Sequence, residues 1–148
     1  VKDLLTAIRD ALRAGLSIKP QDVFLTPDED YLPKACGLPA VGVKDGGTRR
    51  SELAAGMIEE VITVRLAVWV RVVDLSEALC GNADAGRPGI LDLAASVHEI
   101  LDENTLGLPG VLSAFSPWED ASRFGAAASA DLQNMVITYE YLKQEARP

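Results

Sequence analysis

The only histidine in the chain sits in the run His98-Glu99-Ile100-Leu101-Asp102. A zinc-protease helix needs a second histidine four residues after the first, so that two ligands share one helical face. Here that position is Asp102, and the sequence shows no third ligand. His98 falls at the edge of an apolar helical stripe and reads as a structural histidine at a helix boundary. Nucleophilic chemistry has little support. There is no Gly-x-Ser-x-Gly elbow, and neither Cys36 nor Cys80 lies in a redox or metal-binding spacing. Both read as reduced thiols. Glu59 and Glu60 are adjacent in an extended segment and so point to opposite faces. Asp28, Glu29 and Asp30 lack the glycine and spacing of a calcium loop and read as a solvated loop. Gly46-Gly47-Thr48-Arg49-Arg50-Ser51 lacks the Gly-Lys-Ser/Thr ending of a phosphate loop. It reads instead as a mobile hairpin tip whose Arg49 and Arg50 are free to pair with an acidic partner. No catalytic residue, metal site or cofactor emerges.

The elements that position these residues follow from periodicity. Leu4, Leu5, Ile8 and Leu12 predict a helix over 2–14, stopped by Gly15. Residues 22–26 predict a short strand ending at Pro27, and 38–43 a second strand that runs into a turn at Asp45-Gly46-Gly47. From Glu60 to Val72 the chain alternates strictly. Ile62, Val64, Leu66, Val68, Val70 and Val72 share one face; Val61, Thr63, Arg65, Ala67, Trp69 and Arg71 share the other. Thirteen such residues span roughly 43 Å, against about 38 Å for a compact domain of this length. Part of this strand is therefore expected to project as a long β-hairpin arm.

Pro88 opens a second helix, about 88–104, with Ile90, Leu93, Ala94, Val97, Ile100 and Leu101 as its buried stripe. Val111 to Phe115 predicts a strand. Ser116 to Ala130 reads as a polar, Ala-rich connection containing Trp118 and Phe124. A last strand, about 132–142, places Met135, Ile137, Tyr139 and Tyr141 on one face. The order predicts an α+β fold: a mixed, mainly antiparallel sheet with helices packed on one face, in a single domain over 1–148.

The bulk properties narrow the function classes. The 148 residues carry a net charge of -8 and 48% hydrophobic residues, enough for one core. Such acidity opposes a nucleic-acid-binding surface, which needs a basic stripe. The strongest apolar run, Leu66 to Val70, is bracketed by Arg65 and Arg71, so no membrane span is expected. The N-terminus enters directly into a charged amphipathic pattern, without the look of a signal peptide. Trp69, flanked on its face by Arg65 and Arg71, reads either as a subunit or partner contact patch or as a side chain packed under a loop of its own chain.

In order, these elements resemble a known family. The carriers are the strand Leu38-Pro39-Ala40-Val41-Gly42-Val43 before a Gly-rich stretch and the long strand Val61-Ile62-Thr63-Val64-Arg65-Leu66-Ala67-Val68-Trp69-Val70. They continue with the helix from Leu91 through Val97-His98-Glu99-Ile100-Leu101, then Asn104-Thr105-Leu106 to Gly110-Val111, and end on Val136-Ile137-Thr138-Tyr139-Glu140-Tyr141. The pattern resembles the tail terminator (tail completion) proteins of long-tailed bacteriophages. The resemblance implies a structural virion protein, assembled in the host cytoplasm, that forms a homohexameric ring in the tail and neck region. Such a ring caps the tail tube, ends its polymerisation and docks a neck or connector protein, while DNA passes through its channel without specific binding. It implies no catalytic residues and no cofactor. Two alternatives stand beside it: another phage neck or head–tail connector protein, or, in a different class, a small enzyme or ligand-binding α/β domain using His98.

Overall fold

The computed structural model describes residues 1–124 and 131–147. The chain begins with helix α1 (Lys2–Gly15), whose Leu4, Ile8 and Leu12 are buried at helical spacing. A single 3-10 turn, Pro20–Asp22, leads into the short strand β1 (Val23–Leu25). Then come β2 (Ala40–Glu52), a turn at Ala54–Gly56, and β3 (Met57–Arg71). Two helices follow, α2 (Leu75–Cys80) and α3 (Ile90–Leu101). The chain continues as β4 (Val111–Glu119), β5 (Arg123–Phe124) and β6 (Leu132–Ala146).

The strands form one sheet in the order β1-β2-β3-β6-β4, with β5 also beside β6. Only β1 and β2 run parallel; the other pairings are antiparallel. The fold is α+β, as expected. The alternation of β3 decides the layers. Ile62, Val64, Leu66, Val68 and Val70 join Met135, Ile137, Tyr139 and Tyr141 of β6 in a core closed by α1 and α3. The two helices meet at Gly15, where a Cβ would come within 2.6 Å of Ile100 Cδ1.

Three expectations are corrected. Asp45-Gly46-Gly47 is not a turn: β2 runs through it to Glu52. Between the pairs Asp45↔Val64 and Thr48↔Ile62, the two glycines oppose the single residue Thr63, which is a β-bulge. Gly47 takes φ 98 there, and Asp45 Oδ1 accepts from its N–H at 2.8 Å. The chain reverses later, at Leu53–Gly56, where Ala55 and Gly56 adopt φ 63 and 73 and Leu53 N–H donates to Met57 O. Among the described residues the long hairpin is not a free arm either. β6 runs on to Ala146 and pairs with β3 along its whole length, from Met57↔Ala146 to Arg71↔Leu132, so the far end of the hairpin is backed by a third strand.

The third correction concerns the connection after Phe115. β4 continues to Glu119, and Arg123–Phe124 pairs with β6, so Trp118 and Phe124 lie on strands. Residues 125–130 of that connection lie outside the described residues. α2 has no counterpart in the sequence reading. Its signal is Asp74-x-x-Glu77: Asp74 Oδ1 accepts from Glu77 N–H at 3.1 Å and caps the helix.

Candidate assembly surfaces

His98 lies in the last turn of α3 and faces β6 and the edge strand β4. Nδ1 is 2.6 Å from Tyr139 Oη and Nε2 is 2.8 Å from Glu119 Oε2. Tyr139 Oη also donates to Asp102 Oδ1 at 2.7 Å. Burial first, then this bond and the neighbouring Asp102 charge, raise the Tyr139 phenol well above its ordinary range, so it remains a donor. Burial raises Tyr141 in the same way. Both ring nitrogens of His98 are thus engaged by a phenol and a carboxylate. Neither contacts a hydroxyl or thiol of Ser, Thr or Cys among the described residues. The ring borders a shallow, open hollow lined by Glu99, Asp102, Glu103 and Phe115. Among the described residues, no three His, Cys, Asp or Glu side chains converge on a metal-sized position. None of the helices there is long and apolar enough to cross a membrane.

The sheet's other face explains Trp69. At one end, the segment between β1 and β2 folds over it. Trp69 is fully buried with Ala40, Ala67 and Leu132, beneath Phe24, Leu32, Cys36 and Leu38. Trp69 therefore packs under its own chain and is not part of an exposed patch. Bulk and flatness suit the indole to an interface, but the same properties suit it to filling the space under a covering loop. The cover is fastened by polar contacts. Asp22 Oδ1 accepts from Gly37 N–H at 2.8 Å and from Cys36 Sγ at 3.5 Å. Burial, then the charge and hydrogen bond of Asp22, push the Cys36 thiol up to about 11. Arg65, from the same face of β3, bonds Glu29 in the cover and reaches Asp120 beyond β4 at 3.4 Å. The bond to Glu29 is the main reason its guanidinium lies above its ordinary value. Arg123 spans Asp30 and Asn134. Asp28-Glu29-Asp30 is thus a fastened loop, with Glu29 and Asp30 held by arginines.

The arginines expected to work together are dispersed. Adjacent strand positions alternate, so Arg49, opposite Val61, faces away from the helices, and Arg50, opposite Glu60, faces the helix side. Arg50 Nε is 2.9 Å from Glu60 Oε1, whereas Arg49 forms no ion pair among the described residues. Arg71 is bound to Asp131 at the far end of β3. Glu60 and Glu59 face opposite ways, as the alternation requires, and Glu59 accepts from Gln144.

What remains open are two strand edges and half a sheet face. β1 covers β2 only at Val41 to Val43, so Lys44 to Glu52 form an exposed outer edge. At the opposite end β4 pairs only with β6. It carries Phe115 and Trp118, which are 63% and 65% exposed. Both lie opposite second-face residues of β6, Glu140 and Thr138. Between the edges, Val61, Thr63, Glu140 and Leu142 are half-buried. These aromatics were legible as residue types, but their exposure depends on β4 being the last strand.

No family model and no curated protein matches the chain. Among solved structures, the fold is similar to a chain in the virion of a native gene transfer agent particle. The match has a TM-score of 0.61 at 15% identity and covers 96% of this chain and 95% of that one.

Proposed function

We propose that this chain is a structural protein of a phage-like virion and, within it, a tail terminator. Copies form a homohexameric ring that caps the tail tube, ends its polymerisation and joins the tail to a neck or connector protein. It acts as one domain, assembles in the host cytoplasm and is carried in the tail and neck region. The whole-length likeness to a virion chain carries this reading. The open surfaces fit it. Two different open edges on one subunit suit a head-to-tail contact, and a contact of that kind closes into a ring when its rotation closes. Closure also hides edges that would otherwise template open-ended pairing. We assign the β2 edge with Arg49, the uncovered face beyond Arg65, and Phe115 with Trp118 to subunit or partner contacts; Arg50 and Arg71 lie at their margins. With a net charge of -8, the ring presents DNA with a channel that repels the backbone and does not hold it.

The test is the copy number of the chain in purified particles, by quantitative mass spectrometry against the major tube protein. About six copies support the terminator. About twelve would move the chain to the head side, as a connector. Hundreds would make it a tube protein, and absence from the particle would overturn the virion reading.

A further inference from the structure

The hydrogen bonds around His98 have a proton count. Asp102 and Glu119, as carboxylates, only accept. The 2.8 Å contact with Glu119 therefore requires a proton on Nε2. The 2.7 Å bond to Asp102 uses the single proton of the Tyr139 phenol. The 2.6 Å contact between Nδ1 and the phenol oxygen is then a hydrogen bond only if Nδ1 carries a proton too. Nδ1 lies 3.6 Å from Asp102 itself, too far for a direct bond, so the tie to Asp102 passes through Tyr139. All three bonds coexist only around the imidazolium.

We infer that His98 is a proton-dependent brace that holds the end of α3 to β6 and to the edge strand β4. Removing one proton forces a choice. If Nε2 keeps its proton, Tyr139 turns its own toward Nδ1 and Asp102 loses its donor. If Nδ1 keeps it, Glu119 is released. Asp102 caps α3, and the next residue donates from its backbone to Ala114 of β4 at 3.1 Å. Glu119 is the last residue of β4. The first choice frees Asp102 from β6, beside the Glu103 bond to β4; the second frees the end of β4 directly. The groups facing the ring are Tyr139 from β6, Glu119 from β4 and Asp102 from the end of α3. Glu99 and Glu103 line the same hollow, and Tyr141 lies 6.3 Å beyond Tyr139, ring to ring. Among the described residues no lysine or arginine lines that hollow. The strand so held is the one that presents Phe115 and Trp118. The brace thus sets, by proton availability, how firmly that surface is offered, and it does not depend on the virion reading.

His98 is the only histidine, so its ring signals in NMR are unambiguous. The experiment follows them together with amide hydrogen exchange in β4, at about pH 5.5 and about pH 8, on either side of the ordinary histidine titration. Exchange is corrected for its intrinsic pH dependence. In the parent chain, β4 amides are expected to exchange up to about tenfold faster at the higher pH, in step with loss of a ring proton. Central β3–β6 amides should not change. In His98→Gln, β4 should be loose at both values, without the step. Glu119→Gln, which keeps the ring, should shrink the step. A step that persists in His98→Gln, a parent with no step, or equal loosening of β3 and β4 would overturn the brace. Should His98→Gln not fold, the parent profile and Glu119→Gln decide the matter.

Discussion

Trp69 offers the sharpest test of the architecture, because a core residue and an interface residue respond in opposite ways. Replacing it with Ala removes a side chain with 0% exposure from beneath Phe24, Leu32, Cys36 and Leu38. Truncating a buried aromatic to Ala costs about 3–5 kcal/mol, in part through the cavity it leaves. Here the lower half of that range is expected, because the covering segment is only partly buried and can settle into the space. At roughly 2–4 °C per kcal/mol for a chain of this size, Trp69→Ala should lower Tm by roughly 10 °C. Trp69→Phe keeps a ring in place and removes an indole N–H that has no hydrogen-bond partner among the described residues. Its cost should be about 1 kcal/mol. Urea unfolding of dilute, unassembled chain, followed by far-ultraviolet circular dichroism, separates the cases, with the slope of the transition serving as a check on two-state behaviour. A Trp69→Ala chain within 1 kcal/mol of the parent, but unable to self-associate, would refute the burial argument and make Trp69 a contact residue.

Three further outcomes follow from the geometry. Arg49→Glu should weaken self-association at least severalfold in analytical ultracentrifugation, while unfolding stays within about 0.5 kcal/mol of the parent; unchanged association would remove the β2 edge from the interface. Gly89→Ala should destabilise by several kcal/mol in urea, because its Cβ would lie 2.3 Å from Gly81 N and 2.5 Å from Leu79 O, both backbone atoms. The Cys36 thiol, raised from 9.0 to about 11, should alkylate at pH 8 about a hundredfold more slowly than an ordinary thiol, well behind exposed Cys80. Asp22→Asn should narrow that gap in a mass-spectrometric time course. Because the folded value is the higher one, this thiol's contribution to stability is complete below about pH 9 and is lost as pH rises through about 11. The raised tyrosines carry the same sign further into the alkaline range.

The layers of the fold were legible because one strand states them. The alternation from Ile62 to Val70 names the core face, and the stripe from Ile90 to Leu101 names the helix that covers it. What sequence pattern did not show was long-range or ambiguous. A glycine pair serves equally as a turn or a bulge, and only the register against Thr63 distinguishes them. The end of β6, from Lys143 to Ala146, has no apolar alternation of its own; it is a strand because β3 is beside it. Trp69 followed the second of its two readings, since nothing local announces that the segment before β2 folds back over it. The arginines were visible as charges, but their partners lie tens of residues away: Glu29 for Arg65 and Asp131 for Arg71. His98 was placed correctly at the helix boundary, while its partners Glu119 and Tyr139 come from two other strands.

The strand β6, made after the five others, lies inside the sheet. β6 separates β3 from β4, and its pairs with β3 join residues as far apart as Met57 and Ala146. While the ribosome is still making residues 132–146, β3 has only β2 beside it, and β4 has no partner strand among the described residues. Completion of the sheet must therefore wait for β6, and such distant pairing is slow. A chain cut short before β6 keeps at most the pairings β1-β2-β3 and leaves β4 without the strand it pairs with, so the edge that carries Phe115 and Trp118 cannot form.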